Sequence, residues 1–318
     1  MFLLKPVLIA ALPLLAGVVA VSQKHAPPAK SESRVSDQAD SSLLEFGPPA
    51  KLREMSVTNG EIRIVSYNIR YRAGEDLNKL LKLFREDPEI GNAVLLGLQE
   101  VDRNRKRTGH ANTARIIADS LGFNYAWAAP PPAKPDDEEE TGVAIMSPFP
   151  IFNIRRMVLP HYGPNQRRRV ALGATVRIYG KDFRVYSMHG ETRIAMNKKI
   201  EQMNTLIEDL KLFPESMPVI LVGDLNTWEA NAERNTIKLF SGAGLQTPFG
   251  SQSTFRGRVL FVPIEFRLDW VWLRGVQVLT FGIDKKINLS DHFPLWANIK
   301  LLSEKEAALK TPEENNRL

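Results

Sequence analysis

Apolar and polar positions alternate over short stretches through most of the chain after residue 61, and helical spacing is confined to a few segments. Alternation or short apolar runs predict strands over 62–67, 93–98, 123–129, 143–146, 151–159, 170–178, 183–188, 219–222, 268–273, 276–281 and 294–301. Apolar residues at three- and four-residue spacing predict helices over 77–84, 113–121, 192–212 and 233–239, the second stopped by Gly122. Successive strands are often joined without a helix between them. That order argues for an α/β fold of two packed sheets with helices outside, rather than one parallel sheet built from βαβ units.

The strands end in chemistry. Val219 to Val222 reads as a fully buried strand, and Gly223 punctuates it. Asp224 and Asn226 follow, two apart, so an extended backbone turns both to one face. Asn68 closes the first strand, Gln99 and Glu100 the second, and His189 the strand before the long helix. Asp269 opens a later strand, and Ser290-Asp291-His292 leads into the last. Each residue alone reads as a turn former, a solvated strand end or a satisfied structural histidine. Together they place carboxylates, amides and imidazoles at the ends of many strands.

Composition narrows what such a set can do. The chain has 318 residues, 43% of them hydrophobic, which is enough for a sizeable core. It has no cysteine and five histidines, so disulfides, thiolate chemistry and cysteine-ligated zinc are excluded. Carboxylates and amides with few imidazoles suit a hard, oxygen-ligated ion, Mg²⁺ or Mn²⁺. The formal charge of +6 suits a polyanionic substrate or surface. Metal-assisted phosphoester hydrolysis uses this whole set: a cation neutralises the phosphoryl oxygens, and a base supported by a carboxylate activates water.

Ser66-Tyr67-Asn68, Leu98-Gln99-Glu100-Val101-Asp102, Gly223-Asp224-Leu225-Asn226-Thr227-Trp228, Arg267-Leu268-Asp269 and Ser290-Asp291-His292-Phe293-Pro294 occur in that order. In this the chain resembles the endonuclease/exonuclease/phosphatase superfamily of metal-dependent hydrolases, over roughly 61–301. The resemblance implies a four-layered α/β-sandwich with the site at one edge. It implies Glu100 as principal metal ligand, with Asn68 and Asp291 in the metal and phosphate environment. Asp224 resembles the residue that orients or deprotonates the attacking water, and Asn226 a donor to the phosphate. His189 resembles the histidine that stabilises the pentacovalent centre, and Asp269 the carboxylate paired with His292. Asp224 and His292 both stand as candidates for the base, and one or two metals fit the pattern. Gly190-Glu191-Thr192 departs from the family, where a small apolar residue is common after the histidine, and 141–147 lacks an asparagine often found there.

Basic clusters at 103–107, 155–156, 166–169 and 256–258 favour nucleic acid as substrate, with Arg103, three after Glu100, expected at the site rim. The acidic run 136–140 argues against it. The apolar stretch 259–266, flanked by arginines, supports a phospholipid or sphingolipid phosphodiesterase at a membrane surface as the alternative, or else is a core strand, although Pro263 argues against a central one. An inactive binding module keeping the fold is the alternative of another class. No protein partner is expected. Lys5 and the apolar run 6–21 predict a signal peptide or N-terminal anchor over 1–21, and so an exported protein, periplasmic or extracellular. The composition of 22–59 predicts a flexible linker, 60–302 the folded domain, and 303–318 a polar tail.

Overall fold

The computed structural model describes residues 41–49, 51, 60–134 and 139–302. The expected signal or anchor and the polar tail lie outside the described residues, as does most of the expected linker. In chain order the elements are β1 (Leu44–Gly47), β2 (Ile62–Asn68), α1 (Gly74–Glu86), β3 (Leu95–Arg103), α2 (Thr113–Leu121), β4 (Asn124–Ala128), β5 (Glu140–Ser147) and β6 (Ile151–Val158). There follow β7 (Val170–Ile178), β8 (Lys181–His189), α3 (Met196–Leu210), β9 (Val219–Asp224), α4 (Ala232–Gly242), β10 (Phe255–Val259), β11 (Val262–Phe266), β12 (Asp269–Arg274), β13 (Val276–Ile283) and β14 (Leu295–Leu301).

Two mixed sheets form the centre. One has the order β1-β4-β5-β3-β2-β14-β13, the other β12-β9-β8-β7-β6. Each holds a parallel pair, β2 with β3 and β8 with β9, among antiparallel neighbours. Strand β2 shows why the layers stack as they do. Ile62 and Ile64 point between the sheets, where they join Leu95, Ile145, Val185, Ile220, Val222 and Val271. Val65 and Tyr67 point the other way, onto Leu77, Leu80 and Phe84 of α1 and Ile117 of α2. On the far side, Met203, Leu206 and Phe240 of α3 and α4 pack on Tyr186, Leu221, Trp270 and Trp272. Strands covered on both faces read as continuous apolar runs, and 219–222 is such a run. The result is a four-layered α/β-sandwich.

The sheets approach closely beneath the site. A Cβ on Gly97 of β3 would fall 2.1 Å from Val222 Cγ2 of β9, so only glycine fits. Beside it the Ser187 hydroxyl donates to the Leu98 carbonyl (3.2 Å) and accepts from Gln99 Nε2 (3.1 Å), which joins the two sheets through a buried polar bridge.

Three details differ from the sequence expectations. Strand β1 lies within the stretch read as linker; it pairs with β4, and its Glu45 carboxylate takes Arg103, Arg115 and Tyr125, none of which periodicity reveals. Helix α3 starts at Met196, not at 192. The Glu191 carboxylate takes the Arg193 N–H and the Thr192 carbonyl takes the Trp228 indole, so these groups are committed outside a helix. The stretch 259–266 is no core strand; it belongs to the β10–β11 hairpin, apart from both sheets.

Candidate active site

Register places the chemistry in a row. His189 ends β8 opposite Asp224, and Asp224 lies opposite Asp269, so three adjacent strands present the three side chains at one edge. From the facing sheet, Asn68 ends β2 opposite Gln99. The β3–β5 ladder slips between Gln99 and Val101, leaving Glu100 unpaired with φ 53°. A bulge of this kind re-aims a side chain at the cost of local strain. Glu100 is half-buried and lines the mouth of a cleft.

Asn68 is the hub between the sheets. Its Nδ2 lies 3.0 Å from Asp224 Oδ2, 3.4 Å from Glu100 Oε1 and 3.5 Å from His292 Nε2. Its Oδ1 accepts the Arg70 N–H at 3.1 Å. Asn68 therefore meets the carboxylates as a donor and holds them in place; as a ligand through oxygen it would have to turn its amide over.

The two histidines are set up in opposite states. His292 Nδ1 lies 2.7 Å from Asp269 Oδ2, which also accepts the Thr254 hydroxyl at 2.8 Å. The same hydroxyl receives the backbone N–H groups of Leu268 and Asp269, both at 2.9 Å. Burial disfavours a charged His292, but the Asp269 and Asp224 carboxylates outweigh it and raise the imidazole above its ordinary range. His189 Nδ1 lies 3.2 Å from Arg169 Nη1. A guanidinium only donates, so Nδ1 must accept and the proton sits on Nε2, 3.5 Å from Asp224 Oδ2. Burial, then Arg169 and His292, lower His189 well below its ordinary value and keep it neutral.

Asp224 is buried between them. Burial drives its carboxyl up; His292 opposes this and Asp269 adds to it. Its Oδ1 accepts the Asn226 N–H at 3.0 Å. Asn226 holds a left-handed φ of 54°, fixed by two contacts: its Nδ2 donates to the Gly190 carbonyl (3.0 Å), and its own carbonyl accepts buried Lys199 Nζ (2.5 Å). Lys199 is neutralised by Glu229 at 2.6 Å.

A cleft of about 590 Å³ opens beside Glu100, and six arginines line it: Arg105, Arg107, Arg167, Arg168, Arg169 and Arg193. Several are held in place. Arg107 makes two bonds to Asp102 (2.7 and 2.9 Å) and stacks 3.5 Å over the Tyr71 ring. Glu191, fully buried, takes Arg167 (2.6 and 3.0 Å) and Arg169 (3.3 Å). Burial works against that carboxylate's charge, but the two arginines hold it below the ordinary range.

One expected residue lies elsewhere. Arg103 does not line the cleft: it pairs with Glu140 (2.5 and 2.8 Å) and Glu45 (3.0 Å) and covers Trp127. Asp291 stays beside His292, half-buried, and pairs with Arg70 at 3.1 Å. Of the acidic run, 136–138 lie outside the described residues, while Glu139 and Glu140 are neutralised by Arg105 and Arg103. Lys199, Thr254 and the Glu191 clamp carry no motif; only the departure at Gly190-Glu191-Thr192 marked that place in sequence.

A divalent cation fits this donor set. Asp224, Asp269 and His292 bring ligand atoms within 4.8 Å of one another. Asp269 Oδ1 is buried with no hydrogen-bond partner, and Glu100 adds a carboxylate at the cleft. An oxygen-dominated set suits Mg²⁺ or Mn²⁺.

A model of the endonuclease/exonuclease/phosphatase family matches residues 65–292. The chain belongs to that family. No curated protein matches the sequence. Among solved structures, a family member from Beutenbergia cavernae is 18% identical over 76% of this chain and 72% of its own, with TM-score 0.61. The human Nocturnin catalytic domain, with bound sulfate, is 16% identical over 81% and 98%, with TM-score 0.58. ANGEL2, a 2',3'-cyclic phosphatase in complex with adenosine-2',3'-vanadate, is 15% identical over 81% and 98%, with TM-score 0.56. The family is one of phosphoesterases, and these likenesses bear on the fold.

Proposed function

We propose that this chain is an exported, divalent-metal-dependent phosphodiesterase that cleaves nucleic acid by in-line attack of an activated water. The observation that carries this reading is the six-arginine cleft opening beside Glu100, next to the Asp224, His189 and His292 cluster. Guanidinium groups in fixed orientations suit a chain of phosphates better than a single one. The adenosine derivative bound by ANGEL2 supports a nucleotide-type substrate.

The residues divide the work by what they can donate or accept. Asp224, held on one oxygen by Asn68 and on the other by the Asn226 N–H, orients the attacking water and takes its proton. Its raised affinity for a proton suits that role near neutral pH. His189, with Nδ1 committed to Arg169, offers Nε2–H to a phosphoryl oxygen. His292, held by Asp269, places positive charge beside the same centre. A cation held by the Glu100 carboxylate at the cleft would supply charge neutralisation at the phosphoryl group, leaving Asp224 and His292 to the roles above. The apolar run 6–21 after Lys5 supports export.

The test is a panel of duplex DNA, single-stranded DNA, RNA and phospholipid vesicles, each with Mg²⁺, Mn²⁺ and chelator. Nucleic-acid cleavage that chelator abolishes and metal restores is the expected result. Full activity in excess chelator would remove the metal, and turnover of vesicles alone would favour the lipid reading. That second reading is supported by the exposed β10–β11 hairpin.

A further inference from the structure

The hairpin β10–β11 ends in four consecutive exposed apolar residues. Val259, Leu260, Phe261 and Val262 are 57, 89, 96 and 63% exposed. Leu260 and Phe261 form a two-residue turn between the paired Val259 and Val262, and Leu260 has φ 55°. Such turns favour asparagine and glycine, because a branched side chain at positive φ is strained. Here the turn carries a leucine and a phenylalanine in water. Neither local conformation nor core packing accounts for that choice.

The root of the hairpin is firm while its tip is bare. Phe255 and Phe266 stack at the base, 6.5 Å apart, and the Phe255 ring lies edge-on to His292 at 5.0 Å. The Arg256 N–H donates to the Asp291 carbonyl at 2.8 Å. Exposed Arg256, Arg258 and Lys285 flank the hairpin, with Glu265 as the acid among them. Register also fixes its direction. Val158, Val170, His189, Asp224 and Asp269 lie in one row, so the hairpin leading into β12 leaves from the same edge as the site. The loops carrying exposed Tyr162 and Trp228 leave from that edge too.

We propose that this tip is a membrane-docking element, which inserts Leu260 and Phe261 among the acyl chains of an anionic lipid surface and turns the site edge toward it. Three features favour lipid over other occupants. The tip is a narrow turn, far smaller than the roughly 800 Å² per partner of a stable protein interface. Three of its four side chains are aliphatic, and a surface that stacks bases would present rings. Its flanking cations match anionic headgroups, and their long stems let charge stay at the headgroup level while the tip goes deeper. The inference holds whichever phosphoester is cleaved.

The chain has no cysteine, so Phe261→Cys gives the full-length protein a single labelling position for an environment-sensitive fluorophore. Leu212→Cys, 67% exposed after α3 at the opposite edge, is the control. With phosphatidylcholine–phosphatidylserine vesicles the label at 261 should shift to the blue and be quenched by nitroxide lipid, and that at 212 should not. Leu260→Ser should weaken this insertion about tenfold. Arg258→Gln should weaken it about fivefold, and only where phosphatidylserine is present. The Leu260→Ser/Phe261→Ser variant should melt as the wild type does and turn over a soluble phosphodiester unchanged. No shift at 261, equal shifts at 261 and 212, or a shift on self-association without lipid would each overturn the proposal. None of these readouts requires nucleic-acid cleavage, so failure here and failure of the nuclease reading are distinct outcomes.

Discussion

Glu191 sits at the point where the charge of the cleft is made rigid. Its buried carboxylate holds Arg167 and Arg169, and Arg169 in turn decides which nitrogen of His189 carries the proton. Glu191→Gln would leave Arg169, only partly exposed at the cleft wall, without its nearest counter-charge, and because Glu191 itself is fully buried the loss should be about 1–3 kcal/mol, below that of a fully buried pair. The pH dependence has a definite sign. Glu191 is depressed in the fold, so its contribution is complete above the unfolded glutamate value, about 4.3, and is lost as pH falls through the folded value. Denaturant melts should therefore show a gap between wild type and Glu191→Gln that is full at neutral pH and closes in acid; a gap independent of pH would mean that the clamp is not ionic. At this scale the sequence was partly legible. Residues at the ends of predicted strands, such as Asn68, His189, Asp224 and Asp269, do meet, because strand ends are where a sandwich gathers side chains. Residues that act through others, such as Lys199 and Thr254, leave no pattern. Arg103 misled because spacing from Glu100 says nothing about Glu45 and Glu140, which hold it.

Elements were legible where burial imposes a period. Strands 62–67, 170–178 and 219–222 alternate or run apolar because both of their faces, or one, are covered by a layer. Strand β1 escaped because four residues on a sheet edge need no period, and α3 began late because its expected first turn serves the site. Hairpin β10–β11 could not be told from a core strand by hydrophobicity; Pro263 was the informative residue, since a proline is tolerated where no sheet continues. The spacing of the two sheets yields a test. Gly97→Ala would place a methyl 2.1 Å from Val222 Cγ2, where neither strand can yield without moving the Ser187 bridge beside it. Overpacking of this kind costs about 1–3 kcal/mol. The variant should lose that much by denaturant midpoint and lose activity with it, because β3 carries Glu100 and β9 carries Asp224. Wild-type stability would show that the sheets can part beneath the site.

For the whole molecule, the question is how charge is distributed rather than how much there is. A formal +6 on 318 residues is modest, yet six arginines converge on one cleft where, of the lining acids, Glu139 and Glu140 are already paired and Glu100 stands at the mouth. Composition alone could not distinguish such a funnel from scattered surface charge, since many surface arginines here are tied up, as Arg177 is with Asp182. Arg193 is the sharpest probe: it is exposed on the cleft wall and has no acidic partner among the described residues. If a polynucleotide runs along the cleft, Arg193 meets a phosphate away from the reacting centre and contributes uniform binding. Arg193→Ala should then raise KM with kcat nearly unchanged. It should also flatten the dependence of affinity on salt, by about 0.9 log units per tenfold salt for the one duplex phosphate no longer neutralised. The measurement is KM for a labelled duplex across a salt series, wild type against variant. An equal slope in both proteins would place the nucleic-acid path elsewhere. A slope near zero in the wild type would mean that the arginines serve a compact anionic headgroup, and would move the assignment to a lipid substrate.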